Sequence, residues 1–156
     1  TVLTDTRLDH GAGVPLYFFH KAGITKPFFI CSPDYYSLEG SIKAAAAFSD
    51  SLSGRDLKFA AIASADLSHA LKPGAPAGFD PRGQKFDDQL TAFIKSREYT
   101  KIKTINPELQ QLAHQDAMET IMMALTLSNF KTNNSRFLSY ENEFGVGYLC
   151  AVLSCT

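Results

Sequence analysis

Two short, continuous apolar runs separated by one helical pattern constrain the fold of this chain more than any other feature. Residues 26–32 (KPFFICS) and 58–64 (KFAAIAS) have the length and composition of strands buried on both faces. Between them, residues 37–52 carry apolar side chains at helical spacing, and Gly54 follows as a stop signal. Strand, helix and strand in this order predict a βαβ unit. We therefore expect an α/β fold with a mixed, mostly parallel sheet flanked by helices.

The remaining patterns extend this α/β arrangement over one domain. A length of 156 residues suits a single domain, residues 1–156, and the sequence contains neither an internal repeat nor a linker. A Gly/Pro-rich loop over residues 72–83 is long enough to serve a function. The other predicted elements are a short helix or turn after His10, helices over residues 85–97 and from Pro107 to near Asn129, and strands 137–140 and 146–153 around a turn at 141–145.

Composition and charge argue against nucleic-acid and membrane partners. The hydrophobic fraction of 45% and the charged fraction of 20% are typical of a soluble globular protein. With 15 Lys+Arg against 16 Asp+Glu and no basic run, the chain has no electrostatic footprint for a phosphate backbone. No apolar stretch reaches the roughly 18 residues of a spanning helix. Because Cys31, Cys150 and Cys155 show neither metal-binding nor disulfide spacing, we expect reduced thiols and a cytoplasmic protein.

A histidine and an aspartate directly follow the second predicted strand. His69 ends the motif ADLSH, and Asp66 lies three residues before it. In open α/β sheets, ligands bind beyond the carboxyl ends of the strands. A carboxylate close to an imidazole fixes its tautomer and raises its basicity, so this pair suits acid–base catalysis. An aspartate that caps the next turn, with a histidine merely bonded to it, explains the same spacing equally well.

Two further residues are candidates for a site. His10 follows Asp9 and precedes two glycines that allow a ligand to approach the backbone closely. Asp116 falls on the same face of the predicted long helix as Leu112 and Ala113, which is its apolar face. A buried carboxylate has to be paired, hydrogen-bonded or metal-bound. An interior capping aspartate is an equally good interpretation of Asp116.

Four sequence blocks arrive in an order that resembles a known family. They are LDHGAGVPLYF at residues 8–18, IASADLSH at 62–69, GFDPRG at 78–83 followed by Phe86-Asp87, and SYE at 139–141 followed by FGVGYL at 144–149. The chain resembles the class III extradiol ring-cleavage dioxygenase catalytic subunits, the LigB-like superfamily. Within it, the sequence is most similar to the Memo-like domain of AmmeMemoRadiSam system proteins.

The resemblance implies a site built on non-haem Fe(II). In this family two histidines and a third ligand hold the iron, which binds a catechol-type ring and O2 and leaves positions open for both. His69 matches the catalytic acid–base histidine, with Asp66 beside it, and His10 matches a second active-site histidine. The third metal ligand of the family falls where this sequence reads Gln115-Asp116-Ala117. The resemblance therefore makes Asp116 the candidate metal ligand.

One part of the family pattern has no counterpart in this sequence. The two histidine ligands of the family precede the Asp-His-Gly block, and this chain begins seven residues before Leu8. The resemblance thus covers the C-terminal portion of the family domain. We expect either an N-terminally truncated relative or an alternative site that recruits His10 and His69 with Asp116 or Glu141. The implied cofactor is Fe(II) if the site is complete and otherwise none.

The resemblance leaves two functional interpretations. The first is an oxidoreductase of aromatic compound metabolism, which takes a small aromatic substrate and O2. It would act as a homo-oligomer or with a fused or associated AmmeMemoRadiSam-system domain. The second is a non-catalytic Memo-like binding or interaction module that keeps the shape of the pocket and holds no metal. Metal content distinguishes the two interpretations.

Overall fold

The computed structural model describes residues 8–154, and they divide into two compact units on either side of the Ser32–Pro33 bond. The first unit contains helix α1, His10–Lys21, which begins where the Asp9 carboxylate accepts the backbone N–H of Ala12 at 2.7 Å. The short helix predicted after His10 is thereby confirmed. The expectation that residues 1–156 form a single domain stays a prediction.

Helices dominate the second unit. Helix α2, Leu38–Leu52, begins at Ser37, whose hydroxyl accepts the N–H of Gly40 at 2.9 Å. Helix α3, Pro81–Ser96, begins at Asp80 and has proline at its first position, where the missing N–H costs no intrahelical bond. Both confirm the helices predicted from apolar spacing, although α3 begins four residues earlier than predicted. A short 3-10 helix, Tyr99–Thr104, follows α3.

The long helix predicted from Pro107 to near Asn129 is wrong, because the structure breaks it in two. Helix α4 spans Pro107–Ala113 and helix α5 spans Ala117–Leu127. His114 takes a left-handed backbone conformation with φ of 50°, which ends α4. The side-chain oxygen of Gln115 then accepts the N–H groups of Ala117 and Met118, at 2.7 and 2.8 Å, and so caps the start of α5.

The sheet in the described residues has two antiparallel strands. Strand β1, Arg136–Glu141, pairs with β2, Tyr148–Val152, and an irregularity between Phe137 and Ser139 shifts the register. This confirms the two strands predicted near the C-terminus. Within residues 8–154, the runs 26–32 and 58–64 are not assigned to strands, so the parallel part of the predicted sheet is not shown.

The core of the second unit lies between α2, α3 and α5. Helix α2 packs along α5, and the inward side chains of α3 and α5 are almost fully buried. The largest of them are Phe86, Leu90, Met118, Met122 and Leu125. Leu67 joins this core from the irregular segment before α3, which places the neighbouring polar residues at the edge of the core. Among the described helices, none is long and apolar enough to cross a bilayer.

Candidate functional site

The segment over residues 66–71, which we call the ADLSH loop, is neither helix nor strand. Each of its six backbone N–H groups nevertheless donates a hydrogen bond. Asp66 and Ser68 donate to carboxylates, and Leu67 and Leu71 donate to backbone carbonyls of the stretch that leads into β2. The bonds are Asp66 N to Asp116 Oδ1 (2.7 Å), Leu67 N to Gly147 O (2.9 Å), Ser68 N to Asp87 Oδ1 (2.9 Å), His69 N to Ala113 O (2.8 Å), Ala70 N to Ser68 Oγ (3.1 Å) and Leu71 N to Gly145 O (3.1 Å).

The ring of His69 is oriented by the break between α4 and α5. Its Nδ1 lies 2.6 Å from the carbonyl oxygen of His114. Because a carbonyl oxygen only accepts, this contact requires the proton of a neutral ring to sit on Nδ1. Nε2 then faces the carboxylate of Asp66, with 3.6 Å between Nε2 and Oδ2. The half-buried ring thus presents a proton-accepting nitrogen next to an acidic side chain.

Asp116 lies in the helix break, not in a helix as predicted. Its Oδ1 accepts the N–H of Asp66 at 2.7 Å, and its own N–H donates to the Asp66 carbonyl at 3.4 Å. Partial burial raises the pKa of the Asp116 carboxyl, and the bond from Asp66 and the nearby His69 ring oppose that rise. The side chain does not cap α5, since Gln115 does so, and Asp116 instead joins the ADLSH loop to the helix break.

The buried carboxylate of Asp87 is a second support of the loop, and the sequence analysis did not identify it. Asp87 is fully buried in α3, and its two oxygens accept the Ser68 N–H at 2.9 Å and the Tyr140 hydroxyl at 2.6 Å. Burial raises the pKa of Asp87 to about 6. A usable signal existed, because Asp87 shares the apolar face of its helix with Leu90 and Ile94.

Two glycines permit the close approach of the groups around Ser68. A Cβ atom on Gly147 would lie 2.0 Å from Asp87 Oδ2, and one on Gly83 would lie 2.4 Å from Ser68 Oγ. Both positions are closed to any side chain unless the carboxylate or the hydroxyl moves. Gly83, in the block 78–83, and Gly147, in the block 144–149, are therefore required here for packing against the ADLSH loop and its Asp87 support.

A polar chain leads from Asp87 to exposed residues. Tyr140 donates to Asp87, and its oxygen accepts from Gln84 Nε2 at 3.3 Å. Gln84 in turn accepts from Asn142 at 3.1 Å. Burial and the accepting carboxylate both raise the pKa of the Tyr140 phenol, so it remains a hydrogen-bond donor at neutral pH.

The structure brings three of the four predicted site residues together. Asp66, His69 and Asp116 meet in the second unit through the contacts above. His10 is the first residue of α1 in the first unit, where it is exposed. Its predicted role beside His69 stays a prediction. Glu141 ends β1 and is exposed.

Comparison with known proteins identifies the family. The model for the catalytic LigB subunit of aromatic ring-opening dioxygenase matches residues 1–151. The chain is a member of the LigB family. It is also 32% identical over 147 residues to protein CA_C1420 of Clostridium acetobutylicum. That match covers 93% of this chain and 31% of the relative, so the chain spans about a third of the length of this relative.

LigB proteins generally use Fe(II), but the donor set of the described residues does not fit that ion. Among residues 8–154, no group of three or more His, Cys, Asp or Glu side chains converges where a metal could bind. The His69 ring supplies one imidazole, through Nε2, and the nearby carboxylates of Asp66 and Asp116 supply no second imidazole. A facial triad needs two imidazoles and a carboxylate already in position. The described residues therefore do not by themselves form such a triad.

Proposed function

We propose that this chain contributes the acid–base part of a LigB-type domain that cleaves a catechol-type ring with O2. The observation that carries the proposal is the ring of His69, whose Nδ1–H is fixed on the His114 carbonyl while Nε2 faces Asp66. In this role Nε2 accepts a proton from a ring hydroxyl of the substrate. The Asp66 carboxylate stabilises the imidazolium that forms.

Asp116 supports the same pair from the backbone. By accepting the Asp66 N–H, it fixes the residue whose carboxylate faces His69. We also propose Asp116 as a metal ligand, as the family pattern suggests, but only together with imidazoles that the described site does not supply. His10 is proposed as the second active-site histidine on the family pattern alone.

The acid–base proposal is tested by ring cleavage in excess Fe(II). The full chain is mixed anaerobically with Fe(II) and a catechol, O2 is admitted, and the ring-opened product is followed by its absorbance. We expect His69→Gln to lower the rate by about a hundredfold or more, the usual contribution of a positioned acid–base group. His114→Asn is the matched control, since it keeps the backbone carbonyl that orients His69 and tolerates a positive φ.

Product formation by His69→Gln at the rate of the unchanged chain would count against the acid–base role. No product from the unchanged chain above an Fe(II)-only blank, at any iron concentration, would instead favour the non-catalytic alternative below.

The second candidate function is a non-catalytic Memo-like binding module without metal. The specific observation in its favour is that no three-ligand cluster forms among the described residues. In this case calorimetry with a catechol would give the same binding heat with and without Fe(II), and no ring would open. Iron-dependent catechol binding would instead favour the enzyme.

The partners of either function are proposed from the relative. CA_C1420 is about three times as long as the part that this chain matches, which supports a fused or associated further domain. The proposal that this domain belongs to the AmmeMemoRadiSam system rests on the family resemblance alone. Self-association is the other proposal, and light scattering of the full chain over a range of concentrations would detect it.

A further inference from the structure

We propose that Asp87 is a positioning residue for His69, acting through the backbone of Ser68. The inference deepens the acid–base role proposed above and rests on it. Asp87 does not touch the ring of His69. Its Oδ1 accepts the N–H of Ser68, the residue directly before His69.

The geometry makes the Ser68 N–H dependent on this one carboxylate. Ser68 and Asp87 are both fully buried, so bulk water does not reach the bond between them. On the other side of Ser68, its carbonyl accepts the N–H of Gly147 at 2.8 Å, and its hydroxyl donates to the Ala113 carbonyl at 3.1 Å. These bonds hold the residue from several directions, which fixes the backbone torsions that aim His69.

The same contacts reach the acceptor of the His69 ring. Ala113 receives both the Ser68 hydroxyl and the His69 N–H, and the next carbonyl, that of His114, accepts from Nδ1. If the Ser68 N–H loses its acceptor, the loop shifts relative to Ala113 and His114. Nδ1 then leaves the carbonyl, and the ring is free to exchange its two tautomers.

The surroundings of Asp87 Oδ2 support a positioning role. Gly147 leaves the space in which Asp87 Oδ2 lies, and the Tyr140 hydroxyl binds that oxygen. The carboxylate is therefore held from its Oδ2 side while Oδ1 holds the loop. A side chain that only filled volume at this position of α3 would need neither contact.

The test compares Asp87→Ala with Asp87→Asn in the uniformly 15N-labelled full chain, which reports histidine rings and backbone amides alike, and His69→Gln assigns the His69 ring signals. We expect the unchanged chain to show the Nδ1-protonated tautomer. Asp87→Ala should give averaged ring signals and lower the exchange protection of the Ser68 amide about tenfold. Asp87→Asn, whose amide oxygen still accepts, should restore both. A purely structural role would lower overall stability in both variants and leave the tautomer unchanged.

A second variant keeps the test decisive if Asp87→Ala does not fold. Asp87→Ala with Tyr140→Phe removes the buried phenol together with its acceptor, so that no hydroxyl is left unpaired. Averaged His69 signals in the folded double variant support the proposal. An unchanged tautomer, or failure of both variants to fold, overturns it in favour of a scaffold role. Because the readout is the ring tautomer, it is independent of the ring-cleavage assay that tests the proposed function.

Discussion

At the scale of single residues, two carboxylates serve as acceptors for one irregular loop. Asp116 accepts the N–H of Asp66, and Asp87 accepts that of Ser68, so two of the six N–H groups of the ADLSH loop donate to acidic side chains. A strand would use carbonyls of a neighbour for this purpose. With these carboxylates as acceptors, the N–H groups of the loop are hydrogen-bonded as completely as those of a strand. The cost is that acidic side chains are buried.

The burial of the Asp87 carboxyl predicts how the free energy of unfolding depends on pH. Its pKa rises from 3.8 to about 6 on folding, so the folded state holds this proton more tightly than the unfolded state. The contribution is complete below about pH 4 and is lost as pH rises through about 6, a change of about 3 kcal/mol. We expect the stability of Asp87→Asn relative to the unchanged chain to increase by that amount from about pH 4 to about pH 7 in urea unfolding.

The control for this pH dependence is Gln89→Ala, which changes an exposed residue of the same helix and removes no titratable group. Its stability difference from the unchanged chain should therefore be flat with pH. If the difference for Asp87→Asn is equally flat, Asp87 is not a buried acid with a raised pKa.

At the scale of elements, the break between α4 and α5 creates the site. His114 supplies a carbonyl to the His69 ring because its left-handed conformation ends α4, and Gln115 restarts the helix. An unbroken helix would use the His114 carbonyl for its own hydrogen bonds. The interruption is therefore what makes this carbonyl available to a side chain.

The capping role of Gln115 predicts a measurable loss of stability. Gln115→Ala removes the acceptor of the Ala117 and Met118 N–H groups, and we expect it to cost about 1 kcal/mol in denaturant unfolding. Gln111→Ala, at an exposed position of α4, should stay within about 0.5 kcal/mol of the unchanged chain. Equal effects of the two substitutions would mean that Gln115 does not cap α5.

The sequence could predict the elements more readily than their interruption. Helices α2 and α3 have apolar spacing and polar caps at Ser37 and Asp80, which are local signals. The apolar spacing between Pro107 and Leu125 continues in phase across the break, so it conceals the positive φ of His114. Part of the site could be predicted from the sequence, because the position of their motif after an apolar run indicated Asp66 and His69. Asp87, in contrast, reaches Ser68 from a helix, and only the fold brings the two residues together.

At the scale of the whole molecule, family membership and donor chemistry lead to different expectations. The LigB match over residues 1–151 favours iron-dependent ring cleavage, whereas the described donors are one ring nitrogen facing a carboxylate and a second carboxylate used by the backbone. Metal ligands have to be deprotonated to bind, and the free energy spent on bringing them together is subtracted from the observed binding free energy of the ion. Because no three ligands converge among the described residues, we expect this subtraction to be large for iron in this chain.

We accordingly expect the full chain to bind Fe(II) weakly, with no stoichiometric iron retained after anaerobic desalting. In a calorimetric titration with Fe(II), Asp116→Asn should weaken the residual binding further, since an amide is a poorer iron ligand than a carboxylate. Asp50→Asn, which alters an exposed carboxylate of α2, is the control and should leave the titration unchanged. Tight stoichiometric binding would show that ligands assemble which the described residues do not bring together. Binding unaffected by Asp116→Asn would remove Asp116 from the metal site while leaving its bond to the Asp66 N–H, and thus its support of His69, intact.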